Sequence, residues 1–173
     1  MTFARAFPRI APGLFLALGA MLAHPPAAAG DSAPPIQVQD DKGRTVLLAG
    51  PARRAVTLAP HATELVYAAG AGDRLIATIR GSDYPPAARQ LPVIGDGTQP
   101  DAERVAAVRP DLLIAWQPAA AEPLARVMDK LGVPVFYSDP LTLAAIPDAV
   151  ERMGALFGTC LLYTSDAADE EDS

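Results

Sequence analysis

The sequence predicts an α/β fold: a Rossmann-like lobe with a mostly parallel sheet, helices on both faces, and a β-hairpin in front. Three observations carry this. Short apolar runs recur at residues 54–59, 75–79, 112–116 and 133–137, with helical or turn-forming stretches between them; that alternation marks βαβ units. Leu112-Leu113-Ile114-Ala115-Trp116 contains no charged or hydroxylic residue, as expected of a strand buried on both faces. Residues 36–39 and 44–48 alternate around Asp40-Asp41-Lys42-Gly43, the pattern of a hairpin turn.

Taken in order, residues 1–29 have the three parts of a secretory signal: Arg5 and Arg9, an apolar stretch over 10–23, and the small residues Ala27-Ala28-Ala29. A bilayer span needs ~20 apolar residues, and Pro25-Pro26 ends this run early. Cleavage next to Gly30 and export to the periplasm are therefore expected, and with no cysteine at the junction a lipid anchor is not. Residues 30–53 form a lead segment and the hairpin, closed by Pro51. The main lobe spans residues 54–158. It opens with a strand at 54–59 and a helix at 63–69 stopped by Gly70. After a strand at 75–79, prolines open a brief helix at 85–90, and 92–94 is extended. Asp101 caps a helix through Val108 whose inner side offers Ala102, Val105, Ala106 and Val108. The buried strand 112–116 follows, then a helix over 122–131 ending at Gly132. A strand at 133–137 carries Pro134, which favours an edge, and a last helix covers 141–157.

The style of the sequence changes at residue 159. Residues 160–170, Cys-Leu-Leu-Tyr-Thr-Ser-Asp-Ala-Ala-Asp-Glu, back-translate into a transposase mosaic end and adapter of the kind used in sequencing libraries. Residues 159–173 are accordingly expected to be a non-native tail, and a second lobe to be missing by truncation. Five of the 20 acids and the single cysteine, Cys160, fall in that tail, and two of the 14 bases fall in the signal. The remaining 15 acids and 12 bases give a net charge of −3 instead of −6. A mildly acidic, mixed surface speaks against nucleic acid as a partner, and the absence of native cysteine excludes thiol chemistry and cysteine metal clusters.

In an open parallel sheet, ligands bind where loops leave the carboxyl ends of the strands. Those loops contain Pro60-His61-Ala62, Gly81-Ser82-Asp83-Tyr84, residues 95–98, Gln117-Pro118 and Ser138-Asp139-Pro140. Gly70-Ala71-Gly72 is a helix stop, because a dinucleotide fingerprint would follow a strand. There is no phosphate-loop lysine and no Gly-x-Ser-x-Gly elbow. His61 is either a packed helix-entry residue or a ligand contact; alone it makes no zinc signature, and no metal or resident cofactor is expected. Trp116 is either core or an aromatic face for a large ligand. Tyr84 divides evenly between stiff turn and site wall. Glu103, in a helix first turn, is explained by the helix dipole alone. Asp40-Asp41 is a turn, not an acid/base pair.

Val56-Thr57-Leu58-Ala59-Pro60-His61-Ala62-Thr63-Glu64-Leu65, Ala69-Gly70-Ala71-Gly72-Asp73-Arg74, Ser82-Asp83-Tyr84-Pro85-Pro86, Glu103-Arg104-Val105 and residues 109–116 together resemble the N-terminal lobe of the periplasmic cobalamin-binding receptors of ABC importers, from about residue 54 to 157. The resemblance implies two α/β lobes joined by a long helix toward which residues 141–157 lead, a corrinoid held between the lobes, and delivery without chemistry to a membrane permease by a monomeric receptor. It implies ligand contacts at Trp116, Tyr84, Asp83, Ser82, Gly81, His61 and Pro60, with Trp116 matching a tryptophan of the corrin site, and permease docking at Glu103. Gly81 stands where those receptors carry a tyrosine, and Gly97 near where they carry a tryptophan, so stacking area is lost at two places. The rival readings are a haem or iron-siderophore receptor, with His61 or Tyr84 as axial ligand, and an exported α/β hydrolase.

Overall fold

The computed structural model describes residues 35–96, 100–116 and 118–159, with the backbone alone for 118–120. The expected secretory signal over residues 1–29, Gly97, Gln117 and residues 160–173 lie outside the described residues. Strands β1 (Ile36–Gln39) and β2 (Thr45–Leu48) pair antiparallel, Val38 opposite Val46. Val38, Val46 and Leu48 point inward while Gln37, Gln39 and Leu47 face solvent, so the period-two alternation does set one buried face. Strands β3 (Ala55–Thr57), β4 (Leu75–Ala77), β5 (Leu112–Ala115) and β6 (Val135–Tyr137) form a parallel sheet in the order β4-β3-β5-β6. β6 is an edge strand, as Pro134 predicts. A further parallel bridge, Thr78 to Val93, continues the pairing beyond β4.

Helices cover both faces. Ala55, Leu112, Ile114 and Phe136 pack with Leu65 and Val66 of α1 (Pro60–Ala68), with Met153 and Leu156 of α4 (Ile146–Phe157) and with the hairpin. Val56, Leu113, Ala115, Val135 and Tyr137 pack the other way, onto Val105 of α2 (Ala102–Ala107) and onto Leu124 and Met128 of α3 (Pro118–Lys130). Successive residues of β5 thus enter opposite cores, which is why its sequence reads as unbroken apolar. Around Val105, Ala102, Ala106 and Val108 are partly buried on the same core, as the spacing predicts.

Three helices begin elsewhere than the sequence suggests. α1 starts at Pro60 rather than residue 63, because a proline without an N–H fits the first turn. Thr63 then lies inside the helix, its hydroxyl returning to the Ala59 carbonyl at 3.3 Å. α3 starts at Pro118 and runs through Pro123; the lost hydrogen bond is tolerated because buried Leu124 and Met128 anchor the helix immediately after it. The expected helix over 141–157 is α4 alone, preceded by a 3₁₀ turn at Leu143–Ala145. Its end is sharp: Gly158 adopts φ +64, its N–H and that of Thr159 returning to Ala155 and Gly154. This αL stop closes the helix, so a connector continuing from it falls outside the described residues. Gly70, at φ +73, ends α1 in the expected way.

Candidate binding face at the carboxyl edge of the sheet

Trp116 leaves the end of β5 with 40 % of its surface exposed. Its indole Nε1 donates to Asp139 Oδ1 at 2.8 Å. The His61 ring, at the start of α1, meets it edge-on, with centroids 5.6 Å apart at 83°. His61 Nε2 lies 3.1 Å from the Ser138 carbonyl oxygen. A carbonyl only accepts, so Nε2 carries the proton and Nδ1 remains for another partner. These side chains line an open cavity of about 410 Å³ together with Pro140, Leu141, Thr142, Leu143 and Ile146. Leu141 and Leu143 are 84 % and 85 % exposed, an unusual cost for two leucines so close in sequence.

The hairpin turn supports this edge from behind. Asp40, its side chain fully buried, accepts from the backbone N–H groups of Lys42 and Arg44 and from the Arg44 guanidinium at 2.9 and 2.7 Å. Arg44 also donates to the Val135 carbonyl, and the Asp41 N–H to that of Tyr137. Asp41 in turn accepts from the Asp139 N–H and from Arg152 of α4, both at 2.6 Å. Asp40 and Asp41 are therefore a turn, as expected, and one that ties the hairpin to β6 and α4. Tyr137 lies under Lys42 and Arg44, 4.4 and 4.5 Å from its ring centroid. Burial pushes its phenol above its ordinary value, and Arg44 pulls partly the other way.

Of the residues singled out from sequence, the structure brings His61 and Trp116 into one cavity. Pro60 is the first residue of α1, and a Cβ built on Gly81 would meet its ring at 3.7 Å, so the loop after β4 adjoins the start of α1. In that loop Ser82 is buried with its hydroxyl unpartnered, the Asp83 carbonyl accepts from Arg89, and Tyr84 is 64 % exposed after a positive-φ Gly81. Ser82, Asp83 and Tyr84 are not among the residues lining the cavity with Trp116. Glu103 is exposed and makes no ion pair among the described residues; the capping is done by Asp101, whose Oδ1 accepts from Glu103 N and Arg104 N at 3.0 and 3.1 Å. Because α2 runs directly into the start of β5, its first turn lies at the same end of the sheet as the loops.

The sequence places Asp139 in a loop at this edge but does not show its bond to Trp116, and it reads the Leu141, Leu143 and Ile146 strip as helix. Pro140 and Pro147 bracketing that stretch were the available signal. His61 hydrogen-bonds a backbone carbonyl rather than a hydroxyl, and the Ser138 side chain is fully buried. Among the described residues, the geometry therefore pairs no nucleophile with His61. No group of three or more His, Cys, Asp or Glu suited to a metal occurs among the described residues, nor any helix long and apolar enough to cross a membrane.

The periplasmic binding protein family matches residues 56–159. A vitamin B12-binding protein of Vibrio campbellii is 39 % identical over 104 residues, covering 60 % of this chain and 38 % of that protein. Its counterpart in Vibrio parahaemolyticus is 44 % identical over 106 residues, again covering 60 % and 38 %. The chain thus spans well under half the length of these relatives. Among solved structures, the periplasmic vitamin B12 binding protein of Vibrio cholerae superposes with a TM-score of 0.58 at 39 % identity, over 64 % of this chain and 43 % of that one. A periplasmic heme binding protein from Pseudomonas aeruginosa gives 0.57 at 29 % identity, over 62 % and 39 %.

Proposed function

We propose, from the premise that this chain belongs to the periplasmic binding protein family, that it is the N-terminal lobe of a receptor that captures cobalamin or a related corrinoid in the periplasm and hands it, without chemistry, to the permease of an ABC importer. The observation that carries this is the open apolar edge of Trp116, His61, Leu141, Leu143 and Ile146, in a chain whose curated relatives are named vitamin B12-binding proteins. Large apolar macrocycles are recognised by exposed aromatic and aliphatic surface with a few placed polar groups. A cavity of about 410 Å³ is too small to enclose a corrinoid, which fits a ligand sandwiched between this lobe and a second one. In this reading residues 1–29 are a removed signal, 30–53 the lead and hairpin, 54–158 the lobe, and 159–173 a foreign tail.

Non-enzymatic action is supported by His61 having, among the described residues, only a carbonyl as its hydrogen-bond partner. Glu103, exposed and without an ion pair among the described residues at the loop end of the sheet, is the permease-docking carboxylate of this reading. One observation favours a second ligand: His61 lines the cavity with Nδ1 available, and a haem-binding relative superposes at 29 % identity. Calorimetry on the chain joined to its second lobe decides between them. Cobalamin should bind with saturable heat, and haem should give no tight binding and no Soret shift. Tight haem binding without cobalamin heat would transfer the assignment to haem.

A further inference from the structure

Trp116 is exposed, yet it is held. A side chain with 40 % of its surface in water samples several rotamers unless something fixes it, and the fixing group here is the Asp139 carboxylate on Nε1 at 2.8 Å. Asp139 is not free to move either. Its own N–H donates to Asp41 Oδ2 at 2.6 Å, and Asp41 Oδ1 takes the Arg152 guanidinium at 2.6 Å. Asp41 and Arg152 are only 18 % and 28 % exposed, so this pair is shielded from screening by solvent. The turn that presents Asp41 is itself locked by buried Asp40 and by the Asp41 N–H bond to the Tyr137 carbonyl.

We propose that Asp139 is a positioning residue for Trp116, and that the β1–β2 turn and α4, through Asp41 and Arg152, set the indole plane that the ligand meets. The hairpin is then part of the binding apparatus even though it lines none of the cavity. Pre-set aromatic surface costs no ordering on binding, which is the advantage of a carboxylate latch over an unlatched indole. This inference rests on the reading of Trp116 as a ligand face, but its test does not need the ligand.

The chain's single tryptophan makes the fluorescence of the ligand-free 173-residue protein a direct report on the latch. A hydrogen bond to a charged acceptor biases the docked indole by roughly ten-fold, somewhat less at a half-exposed site. Asp139→Ala should lower the anisotropy of Trp116 and raise its quenching by acrylamide, while Asp139→Asn, which keeps an acceptor oxygen, should restore both. Asp41→Ala should shift both in the same direction as Asp139→Ala, by less. Far-UV circular dichroism should stay native throughout, which separates a freed indole from an unfolded lobe. Unchanged anisotropy and quenching in Asp139→Ala would overturn the proposal, and an effect confined to Asp139 with none from Asp41 would overturn the hairpin's part in it. Failure of the two-lobed protein to bind cobalamin would instead count against the corrinoid reading and leave the latch standing.

Discussion

Beneath the start of α1, the hydroxyls of Thr57, Thr63 and Thr78 close a ring at 2.7, 2.9 and 2.9 Å in a space with essentially no solvent access. Each hydroxyl has one proton to give and can accept twice, so donation around the ring satisfies all three, the Thr63 proton serving either the ring or the Ala59 carbonyl at 3.3 Å. The cluster joins β3, α1 and the end of β4 directly below the first turn of α1, which carries Pro60 and His61. Leaving a buried hydroxyl without its partner costs about 1–3 kcal/mol, whereas removing every partner together can be nearly neutral. Thr63→Val should therefore destabilise the lobe by about that amount, and the triple valine variant by much less than the sum of the three single changes. Urea unfolding of the wild type, the three single variants and the triple variant checks this, and strict additivity would contradict it. Nothing in sequence singles out these threonines, since each sits in a different element and only the fold gathers them.

At the scale of elements, most of the framework was legible and the loops were not. β5 and the hairpin declare themselves, because an unbroken apolar run and a strict alternation each have one structural solution. Helix starts were misread at α1, α3 and α4, and in each case a proline stands in the first turn, where it fits without breaking the helix and so gives no clear boundary. Of the candidate site, Trp116 and His61 were readable from their places at the ends of a strand and before a helix. Asp139 was not, because its role depends on a partner 23 residues away. α2 keeps apart the two roles that the sequence gives to Asp101 and Glu103. Asp101 makes the cap bonds, so Asp101→Ala should cost about 1 kcal/mol of stability. Glu103→Ala should cost a few tenths of that and leave cobalamin affinity unchanged, while weakening association with the permease by about 2–5 kcal/mol if the contact is desolvated. Equal losses of ligand and permease binding would remove Glu103 from the docking role.

For the whole molecule, the decisive feature is a sheet sealed on both faces whose carboxyl edge is left apolar and open. Leu141 and Leu143 stand almost fully in water, while both cores behind them are closed. The alignments cover 38 % of the length of the Vibrio campbellii and Vibrio parahaemolyticus relatives, and the receptor proposed above would complete its pocket from a second lobe. Ligand surface left in water forfeits ~25 cal/mol per Å², and each ~1.4 kcal/mol is a factor of ten in affinity. The lobe alone should therefore bind a corrinoid orders of magnitude more weakly than a two-lobed receptor, but at the same edge. Trp116, the only tryptophan in the chain, reports on that edge directly. Titration of the chain with cobalamin, corrected for absorbance, should quench its fluorescence along a saturable curve, and Leu143→Asp should weaken the binding without altering the unliganded spectrum. Quenching that rises only in proportion to absorbance, with no saturation in either the lobe or the two-lobed protein, would contradict the account.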